Sequence, residues 1–175
     1  MIRTQIPKFR LPDSVIDEEC GYILDLGVEF RGGKRIDSMK ALLAENWDAI
    51  FVGSGAPRGR DLDIPGRKEA VKNIHIGIDW LSSVSFGHID KIGKRVVVLG
   101  GGNTAMDCCR SARRLGGEQV DVVVRSGFEE MKASPWEKED AMPLKGRSSP
   151  ACFTSRRIRK TCTHTCAPST PRSTR

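Results

Sequence analysis

A run of glycines followed by small polar residues is the part of this chain whose residue types and spacing best suit chemistry. Gly-Gly-Gly-Asn-Thr-Ala at 100–105 directly follows an apolar segment and opens a helical pattern. In such a turn the first glycine permits a tight bend, the third lets a pyrophosphate approach the backbone, and the alanine allows close helix packing. Free N–H groups and the helix dipole then favour an anion. The candidate dinucleotide-binding residues are therefore Gly100, Gly101, Gly102, Asn103, Thr104 and Ala105.

The residue after the next apolar segment indicates which nucleotide such a turn prefers. Residues 120–124 predict a second buried strand, and Arg125 follows them where an NAD site has an acidic residue for the adenosine 2′-hydroxyl. An arginine can instead donate a forked pair of hydrogen bonds to a 2′-phosphate, which favours NADPH. The alternative is a solvated arginine at a strand end, where charged residues are common.

A second glycine turn, with Gly53, Gly55 and Ala56, follows the predicted strand 47–52. No clear helix follows it, so an ordinary strand-to-loop turn and a cofactor contact are both open. Cys108 and Cys109 are expected to pack within a helix, because a redox pair normally has C-x-x-C spacing. The 162–166 segment contains two cysteines and one histidine but matches no closed zinc site. We therefore predict neither a catalytic side chain nor a metal ligand.

Hydrophobic spacing predicts an α/β fold built around a Rossmann-like βαβ unit with a parallel sheet. Predicted helices cover about 13–27, 37–43, 78–84, 103–115 and 135–142, and predicted strands cover 28–30, 47–52, 96–99 and 120–124. The segment 6–12 is expected to be an extended loop, and Ser134 with Glu137 has the spacing of a capping box. The two longer apolar runs favour strands buried on both faces.

The charge distribution separates a neutral body from a basic tail. The chain has 175 residues and a net charge of +7, but residues 146–175 contain 7 Lys or Arg and no acidic residue. This tail is rich in Ser and Thr and lacks periodicity, so it is expected to be disordered. Nucleic-acid binding through it is disfavoured, since it has one aromatic residue and no recognisable motif. No membrane-spanning run is present, and the cysteine usage favours a reduced, cytoplasmic protein.

Three ordered motifs within residues 4–142 resemble one family. Ile6-Pro7-x-Phe9-Arg10-Leu11-Pro12 is the first, the segment 52–67 with its glycine turn and Ile-Pro-Gly-Arg is the second, and 98–107 with the glycine run is the third. Together they are similar to the small (beta) subunit of NADPH-dependent glutamate synthase, which serves glutamate biosynthesis, and to its flavoprotein relatives.

The resemblance implies an oxidoreductase in which NADPH passes hydride to FAD, and electrons then reach iron–sulfur clusters or a larger partner subunit. Residues 1–56 would be part of an FAD-binding domain, with the 53–56 turn and the 7–11 loop near the flavin. Residues 57–145 would be part of an NAD(P)-binding domain, in which Arg125 and the 100–105 turn hold NADPH.

The sequence departs from the family pattern at three points. An N-terminal FAD-binding turn and the later strands of the NADPH domain are not found, and Ser126 stands where many relatives have a second arginine. We therefore expect an incomplete copy whose last thirty residues follow a shifted frame, with weak or no activity alone. The alternative is a stand-alone NAD(P)-binding module without redox turnover.

Overall fold

A computed structural model describes residues 2–56, 58–125 and 127–142, together with the backbone of 156–157. The helices are α1 (Ile2–Gln5), α2 (Asp13–Asp25), α3 (Met39–Leu43), α4 (Gly77–Ser85), α5 (Asn103–Arg114) and α6 (Pro135–Ala141), with a 3₁₀ turn at Val71–Asn73. The strands are β1 (Arg95–Leu99), β2 (Gln119–Val124) and β3 (Arg156–Arg157). The five predicted helices and the two central strands are thus confirmed.

The strands form a parallel sheet in the order β1-β2-β3. β1 and β2 pair in the register Val97↔Asp121, and β3 pairs with the last two residues of β2. Helix α5 connects the first two strands, which is the expected βαβ unit. The α/β, Rossmann-like fold class is therefore confirmed.

Helix α5 provides the centre of the core because its apolar and small residues recur at helical spacing. Ala105, Met106, Cys108, Cys109 and Ala112 are all buried, and α5 contacts both long strands as well as α4 and α6. The buried valines of β2, at alternate positions along the strand, complete this core. The expectation that the cysteine pair packs within a helix is confirmed.

The prediction that both strands are buried on two faces is wrong for β1. Its Val97 and Leu99 side chains are 61% and 53% exposed, whereas Val96 and Val98 pack against the core. Alternate residues of a strand point to opposite faces, so α5 covers one face only. Among the described residues, no helix covers the other face.

The predicted strands at 28–30 and 47–52 do not form. Both segments lie in irregular backbone, and their aromatic residues Phe30 and Phe51 are 76% and 95% exposed. A strand requires a neighbouring strand to satisfy its backbone groups, and the described residues supply none at these segments. High β-propensity alone is therefore insufficient here.

Two local predictions also need correction. The 6–12 segment is a turn, in which the Arg10 N–H donates to the Pro7 carbonyl over 2.8 Å. Ser134 precedes α6 as expected, but its side chain makes no capping hydrogen bond.

Apart from β3, the predicted disordered tail and its cysteines lie outside the described residues. None of the helices in the described part of the chain is both long and apolar enough to cross a bilayer.

Candidate functional site

The glycine run forms a tight turn between β1 and α5. Gly100 has φ 134°, a backbone conformation that side chains rarely allow, and its N–H donates to the Val123 carbonyl over 2.9 Å. Ala105 is buried, and its Cβ lies 3.8 Å from the position that a Cβ on Gly100 would occupy. The strand therefore bends sharply, and α5 starts close beside it.

The third glycine leaves open space at the start of α5. A Cβ on Gly102 would meet no atom within 4 Å. Within the described residues, the backbone N–H groups of Gly102, Asn103 and Thr104 have no hydrogen-bond acceptor. Unpaired N–H groups at the positive end of a helix dipole attract anions. The geometry can therefore bind a phosphate group through the backbone.

The side chain of Asn103 holds a neighbouring loop. Its Oδ1 accepts a hydrogen bond from the Ser134 N–H over 2.8 Å, and its Nδ2 donates to Ser134 Oγ over 3.3 Å. The Ala133 N–H also donates to the Gly101 carbonyl over 2.9 Å. These contacts fix residues 133–134 against the glycine turn. In this structure the Asn103 side-chain amide therefore positions a loop, and its backbone N–H is left without an acceptor among the described residues.

The middle glycine is required by packing. A Cβ on Gly101 would lie 3.0 Å from Val124 Cγ1 and 3.1 Å from Met131 Cγ. Met131 is buried, so this contact closes the core behind the turn. No local pattern indicated the role of Met131, because it lies 30 residues from Gly101 in a loop without periodicity.

The remaining predicted site residues are exposed. Arg125 directly follows β2, whose carboxyl end lies beside that of β1 in the parallel sheet. Among the described residues, no ion pair involves its guanidinium. Thr104 is exposed at the start of α5. Gly53, Gly55 and Ala56 lie in an exposed segment without helix or strand, where Gly55 has φ 69°.

A set of buried carboxylates and partly buried arginines, which sequence reasoning missed, connects the 7–10 turn to α5 and α6. We call Arg10, Asp107, Arg110 and Glu137 the arginine–carboxylate cluster. Arg10 donates to both Asp107 oxygens, over 2.9 and 2.7 Å, and its other terminal nitrogen lies 2.6 Å from a Glu137 oxygen. Arg110 donates to the second Glu137 oxygen over 2.9 Å. Glu137 therefore binds two arginines instead of forming the predicted capping box with Ser134.

Both carboxylates of the cluster are almost completely buried, at 5% exposure for Asp107 and 3% for Glu137. Burial raises the pKa of Asp107, and the charge and hydrogen bonds of Arg10 oppose that rise. A signal was present in the sequence, since Asp107 lies within the small and apolar stripe of α5. A charge in such a stripe requires a buried partner.

Cys108 illustrates how the core around the site controls thiol chemistry. Burial raises the pKa of its thiol to about 12. Because the thiolate is the reactive form, we expect iodoacetamide at pH 8 to modify the exposed Cys20 and to leave Cys108 unmodified until the protein unfolds. Peptide mapping by mass spectrometry measures both sites in one sample. Equal rates at the two cysteines would contradict the buried position.

The described residues contain no group of three or more His, Cys, Asp or Glu side chains that could hold a metal ion. The site around the glycine turn combines backbone donors, one exposed arginine and a loop fixed by hydrogen bonds. Such an arrangement can hold an anionic group through its backbone N–H groups.

Comparison with known proteins finds a matching family model and similar oxidoreductase subunits. The family model for pyridine nucleotide-disulphide oxidoreductases matches residues 24–137. The chain is 35% identical over 144 residues to the NADPH-Fe(3+) oxidoreductase subunit beta of Geobacter sulfurreducens, covering 81% of this chain and 21% of that protein. It is 33% identical to the NADP(+)-dependent formate dehydrogenase subunit beta of Moorella thermoacetica, with 81% and 20% covered.

A third relative belongs to the group that the sequence motifs indicated. The chain is 34% identical over 148 residues to the glutamate synthase [NADPH] small chain of Halomonas elongata, covering 78% of this chain and 31% of that protein. The resemblance inferred from the three motifs is thereby confirmed. The chain spans about a fifth to a third of the length of these relatives.

Proposed function

This chain belongs to the pyridine nucleotide-disulphide oxidoreductase family, and from that membership we propose that it binds NADPH at the 100–105 turn and serves a redox enzyme. The single observation that carries the proposal is the open, donor-rich start of α5, where Gly102 leaves space and three N–H groups lack acceptors among the described residues. The pyrophosphate would occupy that space. NADPH supplies a hydride when bound, and the chain's part is to hold and orient the nucleotide.

Arg125 would give the site its preference for the phosphorylated nucleotide. Its position directly after β2 is the place where a Rossmann fold contacts the adenosine ribose. An exposed guanidinium without an ion pair among the described residues is available to a 2′-phosphate. The names of the three relatives each include NADPH or NADP(+), which supports a preference for the phosphorylated nucleotide.

The arginine assignment predicts a selective loss of affinity. Arg125→Ala should weaken NADPH binding by about 1–3 kcal/mol and leave NADH binding nearly unchanged, because only NADPH carries the 2′-phosphate. Isothermal titration calorimetry with both nucleotides measures the difference. Arg95→Ala, at the opposite end of β1, is the matched control and should change neither affinity. An equal loss for both nucleotides would remove the assignment.

Binding of FAD rests on the family resemblance alone. Gly53, Gly55 and Ala56 are exposed, and the strand that would place them does not form. FAD, an electron-accepting partner subunit and a role in glutamate formation therefore remain expectations from the family. A cytoplasmic location remains an expectation from the cysteine usage of the sequence.

A stand-alone nucleotide-binding module is the competing function, because the backbone donors of the 100–105 turn could hold a nucleotide without a flavin. The two proposals differ in the purified protein. A redox enzyme consumes NADPH with an artificial acceptor such as ferricyanide and shows flavin absorbance, whereas a binding module saturates with NADPH and shows neither. Failure to bind NADPH at all would overturn both.

A further inference from the structure

The arginine–carboxylate cluster lies about one helical turn from the proposed nucleotide site. Glu137 on α6 follows Ser134 by three residues. Asp107 on α5 follows Asn103 by four residues. At a rise of about 1.5 Å per residue, each carboxylate is about 4.5–6 Å along its helix from the contact between Asn103 and Ser134. The packing of α5 against α6 at the cluster therefore bears directly on the glycine turn.

Charged contacts hold the two helices together at the cluster. The Arg10 guanidinium bridges them, because it contacts both Asp107 oxygens on α5 and, over 2.6 Å, a Glu137 oxygen on α6. Arg110 of α5 donates to the other Glu137 oxygen over 2.9 Å, and its second terminal nitrogen lies 2.9 Å from an Asp140 oxygen. Since Glu137 is buried, water cannot replace these partners. The two arginines therefore fix the position of α6 against α5.

The residues just before α6 connect that position to the glycine turn. Ser134 directly precedes α6, and both its N–H and its Oγ contact the Asn103 side chain at the start of α5. The Ala133 N–H donates to the Gly101 carbonyl over 2.9 Å. A shift of α6 would distort these three hydrogen bonds, which weaken steeply when their geometry is poor. The shape of the glycine turn therefore depends on the cluster as well as on its own residues.

We propose that Arg10 and Glu137 are positioning residues of the nucleotide site: by fixing α6 against α5, they hold the glycine turn in the shape that presents its N–H groups to the pyrophosphate. The effect on nucleotide affinity rests on the proposed function, whereas the effect on the turn does not. Donors that are already ordered bind an anion more tightly, because no ordering cost arises on binding. Loosening the cluster should therefore weaken the pyrophosphate contact and leave the preference for a 2′-phosphate unchanged.

Amide chemical shifts of the nucleotide-free full chain, measured by NMR, test the effect on the turn. Arg10→Lys keeps a positive charge beside the carboxylates, but an ammonium cannot form the planar fork that contacts both helices. We expect the Ala133 and Ser134 amide protons to move upfield as their hydrogen bonds lengthen, and the Val120 amide at the far end of β2 to keep its shift. These signals report the folded state alone, so a loss of stability does not move them. Unchanged shifts at Ala133 and Ser134 would overturn the proposal.

Calorimetric titration of the full chain with NADPH and NADH tests the effect on affinity. We expect Arg10→Lys to raise the Kd of both nucleotides about fivefold and to leave the ratio of the two Kd values unchanged. A purely structural role would instead lower the fraction of molecules that bind, which calorimetry measures as a smaller stoichiometry at the wild-type Kd. That result would overturn the proposal and leave the proposed function standing. Absence of NADPH binding in the wild type would overturn the proposed function, and the amide shifts would still decide whether the cluster positions the turn.

Glu137→Gln is the second variant. It keeps the size of the side chain and one acceptor oxygen, but it has no charge for Arg10 and Arg110. Because both arginines lose their charged partner on α6, we expect a larger rise in the NADPH Kd, about tenfold, with the same upfield amide shifts. A wild-type Kd in this variant would overturn the assignment of Glu137.

Arg67→Lys is the matched control. Arg67 is also a partly buried arginine that lies 2.7 Å from a carboxylate, that of Asp61, but this pair is within the 61–67 loop. Both Kd values and both amide shifts should equal those of the wild type. The same changes in Arg67→Lys as in Arg10→Lys would show that loss of any such pair is the cause, and would overturn the proposal.

Discussion

Arg10→Ala should lower the free energy of unfolding by about 3 kcal/mol, the largest stability effect that we expect from one surface-loop residue. The substitution removes three hydrogen bonds or ion contacts, two to Asp107 and one to Glu137. Both carboxylates remain buried, and only Glu137 keeps an arginine partner, Arg110. Urea denaturation followed by circular dichroism measures the change.

The pH dependence of this variant has a definite sign. Burial already raises the pKa of Asp107, and loss of Arg10 removes the charge and hydrogen bonds that oppose the rise. The folded variant therefore takes up a proton more readily than the unfolded chain. We expect the deficit relative to wild type to be largest at neutral pH and to shrink as the pH falls through the raised pKa. A deficit that grows on acidification would contradict this account.

Arg31→Ala is the matched control for Arg10→Ala. Arg31 also contacts a carboxylate, that of Glu29, over 2.8 Å, but both side chains are exposed. Water and salt screen such a pair, so its removal should leave the denaturation midpoint unchanged. A similar loss in both variants would show that burial of the arginine–carboxylate cluster is not the cause.

Gly102→Val should weaken NADPH binding at least about 100-fold, which corresponds to about 2.7 kcal/mol. A side chain at this position occupies the open space at the start of α5 where the pyrophosphate would lie. The backbone has φ −97° and ψ 175°, which a valine adopts without strain, so the protein should remain folded. Titration calorimetry with NADPH and a thermal melt together measure both outcomes.

Gly101→Ala is the counterpart that separates packing from binding. Its Cβ would press on Val124 and Met131 at 3.0 and 3.1 Å, so we expect a loss of stability of about 1–3 kcal/mol from overpacking. Binding by the folded fraction should fall less than in Gly102→Val. If Gly102→Val binds NADPH as tightly as wild type, the pyrophosphate does not lie at this turn and the proposed site is wrong.

The sequence by itself determined the βαβ unit and its turn. The apolar run specifies the strand, the three glycines specify the bend, and the helical spacing specifies the helix. Each of these elements depends on neighbours within a few residues, so local sequence is sufficient to predict it. The same local information predicted helices α2 to α6. It also indicated the family, which the relatives confirm.

Only the tertiary structure decided which strands form and which polar groups meet. The segments 28–30 and 47–52 have strand-like sequences, yet a strand forms only where a partner satisfies its backbone groups. Arg10 and Asp107 are 97 residues apart, and Asn103 and Ser134 are 31 apart, so no local pattern could pair them. Burial makes the ion pairs of the arginine–carboxylate cluster important. Water cannot solvate the buried carboxylates, so each one depends on an arginine to stabilise its charge.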